Sequence, residues 1–244
     1  MLASPWAAPA WVALAWLAAV PLFSIKARYL PALPVVVADG WSVGPALAAG
    51  FARTLAETVL GFLSGSAFGL LCGFAFAGLR VLELAVLPIF VALQTVPVIA
   101  FGAIVVIWFG NTLLAKVAIA FFLTFFPVAV STLRGLQAQD PQRVALMRSF
   151  GATKRQLFLM LALPTALPGI VTGLKLGVSL SLAGAIVGEW FGDTVGLGVM
   201  LLQALYFEQV PRMWVLVIVT GVLGSVLYGL LAAAERRFVW WRPE

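Results

Sequence analysis

Residues Leu84–Phe109 read LAVLPIFVALQTVPVIAFGAIVVIWF, 26 positions without one charged side chain. Such a segment has no stable place in water. A helix of about 20 apolar residues crosses the hydrocarbon core of a bilayer, where every backbone polar group must be satisfied internally. Four more stretches are nearly as plain: Ala8–Ile25, Thr54–Leu79, Leu113–Leu133 and Met213–Ala234. A sixth, Pro168–Gly188, is interrupted only by Lys175. With 63% hydrophobic and 10% charged residues, the 244-residue chain lacks the charge to cover a soluble surface. The expectation is an all-α polytopic membrane protein with six transmembrane helices in one domain, residues 1–244.

Loop cations set the expected orientation. One set of alternate loops carries Arg80, Arg134, Arg143, Arg148, Lys154, Arg155, Arg236, Arg237 and Arg242. The other carries Lys26, Arg28, Arg53, Lys116 and Arg212. Nine against five puts the 134–167 island and both termini in the cytoplasm, although the first helix, with Lys26 and Arg28 after it, points the other way. The competing reading of residues 1–25, a cleaved signal peptide, lacks a basic N-terminal region. The net charge of +6 then belongs to cytoplasmic loops, and no nucleic acid is expected as a partner. The single cysteine, Cys72, lies in a span and reads as a small packing residue.

Several chemistries are excluded. The chain has no histidine, which removes Ser–His nucleophiles and HExxH zinc sites, so no catalytic residue and no metal ligand is expected. No Gly-Lys dipeptide occurs, so the phosphate-cradling loop of ATPases is missing. The nine acidic residues look scattered, with no intramembrane carboxylate pair; Glu189, Asp193 and Glu208 lie near the far end of the fifth span.

The polar island reads DPQRVALMRSFGATKRQLFLMLALPTALPGI, residues 140–170. Asp140 suits a helix N-cap and Pro141 the first helical position. A helix through Phe150 places Val144, Leu146, Met147 and Phe150 on one broad face, with Arg148 and Ser149 opposite. Gly151 ends it, as glycine does where φ must be positive. Thr153 and Gln156 form a capping box for a second helix running to Pro164, and Pro168 forces another break before the fifth span. An apolar face on such a hairpin needs cover, either a partner surface or the bilayer interface.

An ordered series of further stretches accompanies this island: YLPALPVVV, TLAETVLGF, LQTVPVIAFGAIVVIWFG, FFPVAVSTLRGL, RSFGAT, LPTALPGI, AIVGEWFGDTVGLGVMLLQA and a terminal ERR. Over roughly residues 30–237 the chain resembles the permease subunits of ABC importers, in the branch serving sulfonates, nitrate, taurine, riboflavin and thiamine-pyrimidine precursors. Their cytoplasmic loop places Glu-Ala-Ala, three residues, Gly, nine residues, Ile, one residue and Leu-Pro. Gly151, Leu161 and Leu163-Pro164 fill those places, while Ala145-Leu146-Met147 stand where Glu-Ala-Ala is usual. That departure puts an ion pair from the glutamate slot to the ATPase in doubt.

The resemblance implies a type I ABC importer permease fold in the cell membrane, with the loop about 134–167 as the coupling element. It implies Val144, Ala145, Met147, Arg148, Phe150, Gly151, Ala152, Leu163 and Pro164 as the contact to the ATPase. The implied partners are two ATPase subunits, a second copy of this chain, a periplasmic or lipid-anchored substrate-binding protein, and membrane lipid. This chain itself would bind no cofactor, ATP and magnesium being held by the ATPase. Stretches such as QTVP, IWFG and VGEWFG favour a heteroaromatic vitamin precursor over sulfonates or nitrate as cargo.

Inside the spans, Gly61, Gly65, Gly69 and Gly73 recur every four residues, a smooth ridge for helix packing or a substrate path. Gln94 and Thr95 with Pro97 interrupt the third span, facing either a pathway or a neighbouring helix. Lys175 reads as snorkelling to the cytoplasmic edge. Glu189 and Asp193 read as the external mouth, with Glu189 a pathway residue or a solvated helix end. The alternative to the permease reading is a standalone ion-coupled secondary transporter, for which no inverted repeat is visible.

Overall fold

The computed structural model describes residues 7–239 and residue 241; Arg242, counted above among the loop cations, lies outside them. Among these residues every regular element is helical. They are α1 Ala7–Leu22, α2 Leu33–Ser42, α3 Gly44–Gly78, α4 Arg80–Gln94, α5 Val98–Phe109, α6 Leu113–Gln137, α7 Pro141–Ser149 and α8 Lys154–Leu157. A π turn, Phe158–Ala162, then leads into α9 Leu163–Glu189, followed by α10 Leu197–Tyr206 and α11 Val210–Phe238.

The centre is a three-helix sandwich in which α6 packs between α3 and α9. The glycine ridge of α3 makes this possible. A Cβ on Gly65 would stand 2.7 Å from the Thr124 Cβ, and one on Gly73 2.5 Å from the Thr132 Cβ. From the other side Gly173 faces Ser131 and Gly184 faces Ala120, where a Cβ would meet atoms at 2.6 and 2.8 Å. Lipid gives apolar side chains little reason to leave it, so helix association there rests on close van der Waals approach, which small residues permit. The ridge is therefore packing surface, not a path. Phe68, Phe121, Phe125 and Phe90 fill the flank in edge-to-face and tilted contacts with centroids 5.1–5.6 Å apart.

Among the described residues four helices are long and apolar enough to cross a membrane: α3, α6, α11 and the continuous 36-residue helix Lys154–Glu189. The expected third span is not one straight helix. It divides into α4 and α5, bent by 98° across Thr95–Pro97, because Pro97 lacks an N–H and drives the preceding residue out of helical geometry. The pair makes a fifth crossing only if taken together. The described part of α1, at 16 residues, is shorter than a straight crossing of about 20. Among the described residues the crossings number four, or five with the bent pair, so the expected count of six is not reached there.

A second expectation also changes. Neither Pro164 nor Pro168 breaks the chain; both lie within the continuous helix that carries the hairpin into the fifth span. A proline removes one helical bond and crowds the carbonyl four residues back. The π turn before Pro164 widens the helix at that point, closing with Leu163 N–H on the Phe158 carbonyl. At Pro168 the helix is held by α6, with Gly169 close over Gly135.

Candidate coupling hairpin and the opposing charge cluster

The hairpin is built by caps. The Asp140 carboxylate accepts the Gln142 N–H at 2.8 Å and starts α7. At its end Gly151 takes φ +78°, its N–H bonding Arg148 O at 2.9 Å while the Ala152 N–H reaches Met147 O at 3.0 Å. These two bonds are the Schellman pattern, and they require the left-handed residue that glycine supplies without a Cβ penalty. Thr153 then opens α8 with a reciprocal capping box, Gln156 N–H to Thr153 Oγ1 at 3.3 Å and Thr153 N–H to Gln156 Oε1 at 2.8 Å. Each cap stabilises its helix by about 1 kcal/mol, enough to hold a nine-residue helix that buries nothing fully.

The apolar residues of α7 do not share one outward face, as the sequence suggested. Val144 and Met147 are half-buried against the chain itself, whereas Leu146 is 57% and Phe150 82% exposed. Leu146 and Phe150 are four apart and stand on the same side of the turn. Ala145, Arg148 and Gly151 are exposed and Ala152 is half-buried. Leu163 and Pro164 are half-buried in the first turn of α9, away from the tip. Leu146, placed on the apolar face from the sequence but not named there as a contact residue, is exposed beside Phe150.

A cluster of charges occupies the opposite end. Glu189, read from the sequence as a pathway residue or a solvated helix end, is 1% exposed, which excludes the solvated end. Its carboxylate accepts Thr54 Oγ1–H and the Gly198 N–H, each at 2.5 Å, and Thr54 Oγ1 in turn accepts the Leu197 N–H at 2.9 Å. The first turn of α10 is therefore capped from α9 and α3, with a carboxylate at the positive end of the helix. Glu57, one turn past Thr54, is fully buried beside Glu189 and pairs with Arg53 at 2.8 Å. The chain thus does hold a buried carboxylate pair; Glu57 escaped notice because it sits in an otherwise apolar run.

Asp193 joins the cluster from the α9–α10 loop. It lies 3.1 Å from the Nζ of Lys116, a fully buried lysine on α6, and 3.7 Å from Arg53. Burial pushes the Asp193 carboxyl up, but the Thr194 N–H and the Lys116 and Arg53 charges outweigh it and hold it below the usual carboxylate range. Lys116 also donates to Asn111, whose amide donates to the Gly192 carbonyl. Among the described residues no group of three or more His, Cys, Asp or Glu is placed to hold a metal.

The remaining sequence candidates lie apart from both ends. Gln94 and Thr95 sit exposed at the 98° bend; Thr95 Oγ1 bonds Ala92 O of the preceding helix at 2.7 Å, and among the described residues no interhelical partner engages Gln94. Lys175 does not snorkel to water. Its ammonium pairs with Glu235 on α11 and lies 5.5 Å from the Tyr228 ring centre, so the two charges offset one another between helices.

Residues 65–240 match the family described as binding-protein-dependent transport system inner membrane component. The formylaminopyrimidine transport permease protein ThiX of Halalkalibacterium halodurans is 37% identical over 191 residues, 78% of this chain and 76% of that one. The riboflavin transport system permease protein RibX of Chloroflexus aurantiacus is 30% identical over 93% of this chain and 85% of its own length. The putative aliphatic sulfonates transport permease protein SsuC of Bacillus subtilis is 27% identical over 76% of this chain and 67% of its own. In fold, the chain matches a crystal structure of an amino acid ABC transporter with histidines, with a TM-score of 0.67 at 20% identity, covering 82% of this chain and 97% of that one. Permeases of this kind are not enzymes; they are multi-pass inner-membrane proteins that work with a substrate-binding protein and a separate ATPase chain, which rules out the standalone ion-coupled reading. This chain belongs to the binding-protein-dependent transport system inner membrane component family and is an ABC importer permease subunit.

Proposed function

We propose that this permease works as a homodimer, that α7 is its coupling helix, and that it passes a heteroaromatic vitamin precursor delivered by the binding protein. The observation that carries the coupling assignment is the exposure of Leu146 and Phe150 on a helix capped at both ends that buries no residue fully. Two apolar side chains at i and i+4 offer a groove-filling contact. With Ala145 in place of the usual glutamate, the grip on the ATPase is apolar and not an ion pair. ATP and its magnesium are held by the ATPase, whose two copies each take one hairpin.

This reading puts the hairpin in the cytoplasm. Cations on both sides are ion-paired, Arg80 and Arg143 at this end and Arg53, Lys116 and Arg212 at the other, and the count of loop cations, nine against five, supports this placement. The test is Leu146→Asp with Phe150→Asp. The double variant should insert and dimerise normally but lose the ATPase on purification. Retained ATPase with normal uptake rejects α7 as the coupling helix, and a mass corresponding to a single permease copy rejects the homodimer.

The cargo class is supported by the formylaminopyrimidine and riboflavin transport permeases among the relatives. Mass spectrometry of the ligand retained by the partner binding protein decides it. A sulfonate or nitrate there overturns the vitamin-precursor reading and leaves the coupling assignment untouched.

A further inference from the structure

Between the hairpin and the packed part of α9 stands the π turn Phe158–Ala162. Its closing bond runs from Leu163 N–H to Phe158 O, one residue wider than an α-helical bond. Pro164 and Pro168 follow, so two backbone donors are missing within little more than one turn. The helix has its fewest internal bonds where the hairpin joins it.

The same segment is loosely packed on two sides. A half-open cavity of about 560 Å³ lies between it and the ends of α3 and α6, bordered by Phe74, Ala77, Gly78, Leu136, Phe158 and Leu163. A second, of about 390 Å³, lies toward α7 and is lined by Arg143, Met160, Pro164 and Trp241. The segment's buried contacts are Ala162 and Ala166 against Leu136; Leu161 is also buried, and Phe158 meets Phe74 of α3 edge to face with ring centres 6.2 Å apart. From Ala166 onward α9 is clamped to α6 at near-contact distances. A soft turn therefore joins an outward hairpin to a rigidly held span.

We propose that the π turn Phe158–Ala162 is the hinge through which the coupling hairpin moves against α9, and that the cavity beside Phe158 and Ala77 is the space this motion needs. The inference rests on the coupling assignment above and adds to it where the displacement is taken up. Interiors close-packed at crystal density transmit motion as rigid bodies; an element that must turn needs a gap and a weakened ladder, and both occur together here. Phe158 and Met160, both exposed, are the side chains that swing, while Ala162 stays at the pivot.

Ala77→Phe fills the larger cavity from α3, and Leu71→Phe places the same side chain on the exposed side of the same helix as a control. Ala77→Phe should retain the ATPase at the wild-type ratio while uptake falls about tenfold, because overpacking the space opposes the motion. ATP hydrolysis stimulated by the binding protein should fall in step. Adding Phe158→Ala to Ala77→Phe reopens the space and should restore most of the uptake; Leu71→Phe should transport normally. Normal uptake by Ala77→Phe overturns the hinge, as does a loss that Phe158→Ala fails to relieve. Loss of the ATPase from the Ala77→Phe complex also overturns it, because the cavity would then belong to the docking contact. The coupling assignment is judged separately, by ATPase retention in the Leu146 and Phe150 variant.

Discussion

The carboxylate of Glu189 receives the backbone N–H of Gly198 at 2.5 Å, so one helix ends by capping the next. The α10 helix packs on α9, α11 and α3, and the N–H groups of Leu197 and Gly198 that open it are satisfied by Thr54 and Glu189. Removing the carboxylate leaves the Gly198 N–H and the Thr54 hydroxyl buried without it. Glu189→Ala should cost about 3 kcal/mol, the sum of charge-assisted bonds and the donors left behind. Glu189→Gln keeps an acceptor and should cost clearly less. Thermal unfolding in detergent orders the three proteins, and an Ala variant as stable as wild type would show that α10 needs no cap.

The Lys116–Asp193 pair calls for a double-mutant cycle. Removing one partner of a buried pair strands the other charge, which typically costs about 3–5 kcal/mol, whereas replacing both is often near neutral. Lys116→Met alone leaves Asp193 with only the more distant Arg53. It should therefore destabilise more than Lys116→Met combined with Asp193→Asn. Additive losses across the cycle would mean that the two side chains are not coupled.

These two ends of the molecule differ in how far the sequence disclosed them. The hairpin was legible because its signals are local: Asp140, Gly151 and Thr153 each act on residues two to five positions away. The apolar spans were legible for the same reason, since a hydrophobic run needs no partner to be recognised. The charge cluster was not, because Thr54 meets Glu189 across 135 positions and Leu197 meets Thr54 across 143. Lys175 and Glu235 likewise meet across 60. Prolines fell between these cases. Pro97 does interrupt its span, but Pro168 does not, because the packing of α9 on α6 outweighs one lost bond. Which face of α7 looks outward was also hidden, since Val144 and Met147 turn toward the rest of the chain, which no period along nine residues records.

Gln94 stands exposed at the bend between α4 and α5, with no side-chain hydrogen bond holding it among the described residues. An unengaged amide contributes little to folding, so Gln94→Leu should change stability by less than about 0.5 kcal/mol. If the amide faces the translocation path, uptake should fall while expression and ATPase retention stay the same. Uptake equal to that of wild type removes Gln94 from the pathway.

Gly151 and Gly61 separate the two uses of glycine in this chain. At Gly151 a Cβ meets nothing within 4 Å, so any penalty comes from the backbone at φ +78°. That strain is about 1–2 kcal/mol for an ordinary residue and more for a β-branched one. At Gly61 the backbone is ordinary helix, but a Cβ would collide with Ala120 on α6. Gly61→Val should therefore weaken the α3–α6 contact and lower the unfolding temperature of the whole membrane domain. Gly151→Val should leave that temperature nearly unchanged, because the hairpin buries no residue fully. It should instead break the Schellman bonds to Arg148 and Met147, turn α7 relative to α8, and move Leu146 and Phe150 off their partner. Uptake and ATPase retention should then be lost in Gly151→Val despite normal insertion. Measuring both properties in the two variants side by side decides the matter: a Gly151→Val permease that keeps its ATPase and transports normally would remove α7 from the coupling path.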